Sequence, residues 1–354
     1  MASIDRHVLR KHLLTGQVIP AMPLALDEAR VWSPRHQRAL VRYYLEAGAG
    51  GLAVGVHSTQ FEIRDPDHAL FEPVLEFCSR EIESHLSDSI DFVKIAGICG
   101  TTEQAEREAR FASNHGYHAG LLSLGAMRGA DDDALILHCR RIAEIIPLIG
   151  FYLQPSIGGR SYGYRFWRKF SEIENVVAIK IAPFNRYATL DVVRAVADSG
   201  RADIALYTGN DDNIIHDLLT PFPFGDSPIR IKGGLLGQWA IGTKRATALL
   251  EKIKNASEEA SVSSGDASAW AERNAALTDL NSAIFDPANN FVGCLSGINE
   301  MLRRDGLLPS RRCLEPSENL SAGQAEELDR VSAAYPEWLD TDFIRENIER
   351  WLAG

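Results

Sequence analysis

The apolar positions of this chain fall into short runs separated by amphipathic stretches. The clearest run is 175–182, Asn-Val-Val-Ala-Ile-Lys-Ile-Ala, mostly β-branched, with a helical pattern before it at 167–173 and another after it at 190–197. A short apolar run in that setting predicts a buried parallel strand. Comparable runs predict strands over 18–26, 51–56, 92–98, 119–124, 148–153, 204–208 and 228–232. Between them, helical periodicity predicts helices over 34–46, 71–84, 102–115, 131–146, 164–173, 190–199, 211–219 and 237–255. Ser33 before Pro34 has the residue types of an N-cap and a first helical position, Thr101 opens a second helix, and acids at 131–133 fill the first turn of a third. Eight strands alternating with helices over roughly 240 residues predict an α/β fold of the (β/α)8 TIM-barrel class. A doubly wound open sheet is the rival, but no G-x-G-x-x-G follows the first strand.

Residues 256–268 are rich in Ser, Ala, Glu and Gly and read as a surface linker. Beyond them, helical patterns at 269–286, 290–304, 322–334 and 343–352 predict an all-helical C-terminal extension. The expected organisation is a barrel over 1–255, a linker over 256–268 and the extension over 269–354.

Composition narrows the function classes. With 354 residues, 45% hydrophobic and 24% charged, the chain is of ordinary globular type. A formal net charge of -11 argues against a general nucleic-acid or anionic-membrane binder, which rests on basic patches. No apolar run approaches a bilayer span, and residues 1–16 lack the apolar core of a signal peptide. The five cysteines are scattered and form no C-x-x-C pair, which fits reduced thiols in a cytoplasmic protein.

In a barrel of this class chemistry sits at the C-terminal ends of the strands. Those ends present His57, Ser58 and Thr59, then Ser123 to Ala126, then Tyr152 and Gln154, then Lys180, then Thr208-Gly209-Asn210-Asp211, and Lys232-Gly233-Gly234. Lys180 stands out, because lysine is rarely fully buried without a partner. Desolvation lowers an ammonium pKa and leaves a neutral amine able to attack a ketone; an ion pair at a wet strand end is the alternative. Tyr152 can shuttle protons or serve as an aromatic strand residue. Ser58 and Thr59 can hold a carboxylate or cap a turn. Gly209, Gly233 and Gly234 suit close packing or a phosphate-binding loop. His57 can be a base, a ligand or a satisfied polar residue. His115 and His118 have no acidic partner spaced with them, so no metal site is expected.

These residues resemble the dihydrodipicolinate synthase / N-acetylneuraminate lyase family of class I, Schiff-base aldolases. The family's Tyr-x-x-Pro pattern on strand five is matched by Tyr152-Leu153-Gln154-Pro155, its strand-six lysine pattern by Asn175 to Lys180, and its Gly-Asp-Asp type turn by Thr208 to Asp211. The resemblance covers roughly residues 15 to 255 and, more loosely, the C-terminal helices. It implies a lyase, aldolase or dehydratase acting on pyruvate or another small 2-oxo acid, with no cofactor and assembly as a homotetramer or homodimer. Lys180 would be the imine-forming nucleophile and Tyr152 the general acid/base. Ser58 with its backbone N–H would hold the substrate carboxylate. Thr59, Gly209 and Gly233 are the further expected substrate-binding positions. His57 stands where the family has a relay hydroxyl. Gly125-Ala126 replaces the tyrosine that enters a neighbouring subunit's site, and Ile157 replaces the arginine that binds a second carboxylate, with Arg160 close by. These departures argue against true dihydrodipicolinate synthase. A non-catalytic 2-oxo acid sensor on the same barrel, and a phosphate-binding barrel enzyme of other chemistry, remain the alternatives.

Overall fold

The structure is a computed structural model that describes residues 5–86, 92–225, 228–258 and 264–353. Eight parallel strands form the core: β1 Val18–Pro20, β2 Gly51–Val54, β3 Val93–Ile98, β4 Ala119–Leu122, β5 Leu148–Leu153, β6 Val176–Ala182, β7 Ala205–Thr208 and β8 Gly233–Leu236. They pair in sequence from β2 to β8, and β8 pairs with β1. The ring closes between β1 and β2 through a parallel bridge at Ala21 and Ala53, where Met22 N donates to Ala53 O at 2.8 Å. The helices around it are α1 Arg6–Leu14, α2 Pro34–Glu46, α3 Phe71–His85, α4 Thr102–Asn114, α5 Asp132–Ala143, α6 Tyr164–Phe170, α7 Arg186–Ser199, α8 Ile214–Leu219 and α9 Thr243–Glu258. Four more follow: α10 Ser264–Phe285, α11 Cys294–Arg304, α12 Gln324–Ala334 and α13 Thr341–Leu352. The expected (β/α)8 barrel with a helical extension is the fold observed.

Local chemistry sets several boundaries. The Thr101, Asp131 and Asn185 side chains accept backbone N–H bonds at the starts of α4, α5 and α7. Gly200 ends α7 in the left-handed conformation, φ +68°. Ser33 takes the N-cap position of α2, but its hydroxyl bonds the His36 ring at 2.9 Å instead of a helix N–H.

Two apolar layers result. The strand faces inside the barrel pack Ile19, Ile95, Leu121, Ile149 and Leu235 together; the opposite faces pack against the helices. The short amphipathic helix α1, which lies outside the elements expected from sequence, plugs the N-terminal end. Leu9 and Leu13 join the barrel interior, and Tyr207 Oη donates to Leu13 O at 2.8 Å. Leu9 and Leu13 recur at the i, i+4 spacing of a helix face.

Strand β8 corrects the expectation for 228–232. Ile229 and Ile231 supply a strand-like alternation, yet Ile229 forms only an isolated antiparallel bridge to Phe222. The barrel strand is the Gly-Gly-Leu-Leu segment that follows. In the region expected to be a linker, 256–258 and 264–268 are helical, and 259–263 lie outside the described residues. The extension is welded to the barrel by Asp340. Its carboxylate accepts from Tyr43 Oη of α2 at 2.7 Å and from the Lys244 and Arg245 N–H groups at the start of α9, at 2.7 and 3.1 Å. Among the described residues no helix is long and apolar enough to cross a membrane.

Candidate active site

Lys180 sits on β6 in register with Phe151 of β5 and Tyr207 of β7. The β5–β6 register shifts near the start of the pair, between Leu148 and Ile149. Val177 and Ala178 both enter the interior there, and Lys180 and Ala182 then face inward while Ile179 and Ile181 face the helices. Lys180 is 9% exposed, and its Nζ stands 4.5 Å from the centroid of the Phe151 ring. It makes no hydrogen bond or ion pair within the described residues. An ammonium over an aromatic face gains about 0.5–2 kcal/mol, whereas removing it from water costs several kcal/mol. Desolvation therefore wins. Burial pushes the Lys180 pKa down to about 8, opposed by the nearby Asp211 carboxylate and Cys294 thiol. Gly209 makes room for the lysine: a Cβ there would lie 2.7 Å from Lys180 Cε and 2.7 Å from Ala182 Cβ.

The loop after β2 contributes a 3-10 turn, His57–Thr59. His57 lines the cavity beside Lys180; burial, then the lysine charge, pushes its pKa down to about 4. The imidazole is thus neutral near pH 7 and can accept a hydrogen bond. Ser58 also lines the cavity and donates to Met22 O at 3.2 Å. Thr59 does not reach it. Its hydroxyl donates to Met22 O at 2.6 Å and accepts from Gly55 N at 2.9 Å, so it locks the turn.

Tyr152 requires a larger correction. Side chains alternate along β5, and Ile149, Phe151 and Leu153 take the interior. Tyr152 faces the helical layer, where its ring packs 5.3 Å from Trp167. Its hydroxyl donates to Tyr162 O and accepts from Tyr162 N, both at 3.1 Å. Phe151, with no hydroxyl, holds the place opposite Lys180. Gly233 is likewise misplaced by the expectation. It starts β8 at the opposite end of the barrel, where a Cβ would lie 2.4 Å from Gln17 O. With it goes the suggested phosphate loop, because Gly233 and Gly234 are strand residues. Arg160 is committed as well, its Nη1 donating to Met127 O at 3.1 Å and Ala130 O at 2.6 Å.

The structure brings Lys180, His57, Ser58 and Gly209 together around a cavity of about 60 Å³. It adds Phe151 and Cys294, which sequence reasoning did not place at the site, and Asp211 and Gln154, which it placed at strand ends without a role. Burial raises the Asp211 pKa to about 7, opposed first by the Lys180 charge. Gln238 N donates to Asp211 Oδ1 at 3.4 Å, and Asn281 of α10 donates to Asp211 O at 2.7 Å. The signal for Asp211 was its place in the turn after strand seven. Cys294 and the apolar residues from α10 and α11 carry no linear signal, since the extension reaches the site only through tertiary packing.

Among the described residues no group of three or more His, Cys, Asp or Glu side chains is placed to hold a metal. The two histidines weighed from sequence serve the backbone. His115 Nδ1 lies 2.8 Å from Phe111 O, and His118 Nδ1 accepts from Lys94 N at 3.2 Å.

No family model matches the chain, and no curated protein matches it in sequence. Solved structures do match in fold. Dihydrodipicolinate synthase from Oceanobacillus iheyensis superposes with a TM-score of 0.72 at 17% identity, covering 94% of this chain and 99% of that one. N-acetylneuraminate lyase from Fusobacterium nucleatum gives 0.70 at 15%, covering 92% and 99%. A prophage protein of the dihydrodipicolinic acid synthase family from E. coli K12, solved in complex with pyruvate, gives 0.71 at 14%, covering 91% and 98%. The chain thus shares the fold of dihydrodipicolinate synthase and N-acetylneuraminate lyase structures.

Proposed function

We propose that this protein is a Schiff-base-forming lyase acting on pyruvate or another 2-oxo acid through Lys180. The observation that carries the proposal is the buried amine of Lys180, without an ion pair among the described residues and set in a cavity at the C-terminal ends of the strands. The neutral amine attacks C2 of the 2-oxo acid, and the former carbonyl oxygen takes up a proton. The carbinolamine then loses water to give the iminium. That cation accepts the electron pair released when a C3–H proton leaves or the C3–C4 bond breaks; the enamine so formed returns the pair in making a bond from C3 to an electrophile or a proton, or in expelling a C4 leaving group. Ser58 and the adjacent backbone would hold the carboxylate.

Protons need a carrier other than Tyr152, whose hydroxyl is tied to the Tyr162 backbone. Asp211, raised toward neutrality, is the titratable group facing Lys180 best matched to that task; His57, pushed down to about 4, is a weaker base beside it. Reduction by borohydride in the presence of pyruvate, followed by peptide mass mapping, tests the proposal. Label on the Lys180 peptide is expected; its absence with every 2-oxo acid tried sinks the mechanism.

A second reading has its own support. Phe151 in place of a hydroxyl opposite the lysine suits a protein that captures a 2-oxo acid as an imine without turning it over. Release of pyruvate from an aldol substrate, abolished in Lys180→Met, decides for the lyase.

A further inference from the structure

Resting on the imine proposal, we propose that the Lys180 site takes 2-oxo acids whose chain beyond C3 is apolar, alkyl or aryl. Sugar-derived acids rich in hydroxyls and acids with a second carboxylate are disfavoured.

The cavity opens outward from the amine. Lys180 lies within β6, so a ligand bound to it extends past the strand ends. The wall there consists of Leu153, Ile157, Phe184, Phe285, Phe291 and Ile298. Two of these come from the β5 end and its loop, one from the loop after β6, and three from the C-terminal helices and their connection. A hydroxylated chain against such a wall exchanges water for groups that cannot hydrogen-bond, and each stranded hydroxyl opposes binding. Charge points the same way. Among the residues lining the cavity, the ionisable groups are Lys180, Asp211, His57 and Cys294. Among the described residues no guanidinium lines it, so a second carboxylate would meet no cation there beyond Lys180 and would be repelled by Asp211 when that group is ionised.

The apolar wall is also built against a backbone preference. Phe184 and Phe291 both adopt left-handed backbone, at φ +52° and +65°. Bulky residues rarely do so without support from their surroundings. Phe184 N donates to Asn210 Oδ1 at 3.0 Å, and Phe291 N donates to Asp286 O at 2.9 Å. The two rings meet edge to face with centroids 5.6 Å apart. The barrel and the helical extension thus join in one aromatic surface beside the cavity.

One polar group interrupts that surface. Gln154 is 5% exposed, lines the cavity, and its buried Nε2 has no hydrogen-bond partner among the described residues. One unpaired amide nitrogen fits a ligand with an acceptor oxygen in an otherwise apolar chain. The aldol of pyruvate with an apolar aldehyde, with its lone C4 hydroxyl, is such a ligand.

The test uses the native protein and borohydride trapping at Lys180. Pyruvate, 4-methyl-2-oxopentanoate, 2-oxo-4-phenylbutyrate, 2-oxoglutarate and 2-oxo-3-deoxygluconate are compared by the concentration that gives half-maximal label. The two apolar-tailed acids are expected to reach it at roughly tenfold lower concentration than the dicarboxylate or the sugar acid. Phe291→Ala is expected to narrow that gap. Equal labelling, or a lower half-point for the sugar acid or dicarboxylate, overturns the inference and leaves the imine mechanism standing. No label with any acid overturns both.

Discussion

Two buried lysines in this barrel meet opposite fates. Lys94, on β3, is 4% exposed and faces α3. Its Nζ lies 2.5 Å from Glu83 Oε1 and donates to Ser79 Oγ at 3.0 Å. Lys180, three strands along, is buried to a similar degree but turns into the barrel, over a phenylalanine ring and beside His57 and Asp211. Burial alone therefore does not mark a reactive amine. The partner does: a carboxylate in contact ties the first lysine into a structural ion pair, while burial pushes the pKa of the second down to about 8.

The largest effect expected separates the two directly. Lys180→Met should abolish the borohydride adduct while leaving the melting temperature unchanged or higher, because methionine replaces an unpaired amine in apolar surroundings. Lys94→Met should do the reverse. It strands Glu83 and Ser79, and since Glu83 keeps contact with water the expected loss in chemical denaturation is about 1–3 kcal/mol, with the adduct still formed.

Next comes pH. The adduct rate should rise through about pH 8, where Lys180 gives up its proton. Asp211→Asn removes the negative charge that holds this pKa up, so the profile should move to lower pH; a profile that stays put breaks the coupling between the two groups. Stability follows the same sign. The folded pKa of Lys180 lies below that of a free lysine, so the unfolded chain binds more protons between the two values. Stability should rise with pH from about 8 toward the free-lysine value, and Lys180→Met should lack that rise.

The smallest effect tests the misplaced tyrosine. Tyr152→Phe should leave the adduct rate as it is and cost about 1 kcal/mol of stability, since the hydroxyl only bridges the Tyr162 backbone. A large loss of rate in that variant would contradict the outward orientation.

Much of the barrel was legible because βα units carry strong periodic signals: β5 was read at its observed bounds, and the strand around Lys180 nearly so. The failures have physical causes. Strands buried on both faces read as continuous apolar runs, so neither Phe151 nor Tyr152 announces which of them points inward. The register shift between β5 and β6 adds to this, since a bulge changes side-chain parity locally. Strand eight was missed because Gly233 and Gly234 have poor strand propensity, while Ile229 and Ile231 mimic a strand nearby. At the site, Lys180, His57, Ser58 and Gly209 could be found from strand ends. Cys294, Phe285 and Ile298 could not, because only the packing of the extension against the barrel carries them there.

The central claim is that Lys180, and not the equally buried Lys94, is the nucleophile. Borohydride trapping with pyruvate, mapped by peptide mass, measures this most directly. The account predicts label on the Lys180 peptide, growing with pH through about 8 and lost in Lys180→Met. An unlabelled Lys180 peptide, or label confined to Lys94 and surface lysines, would contradict it.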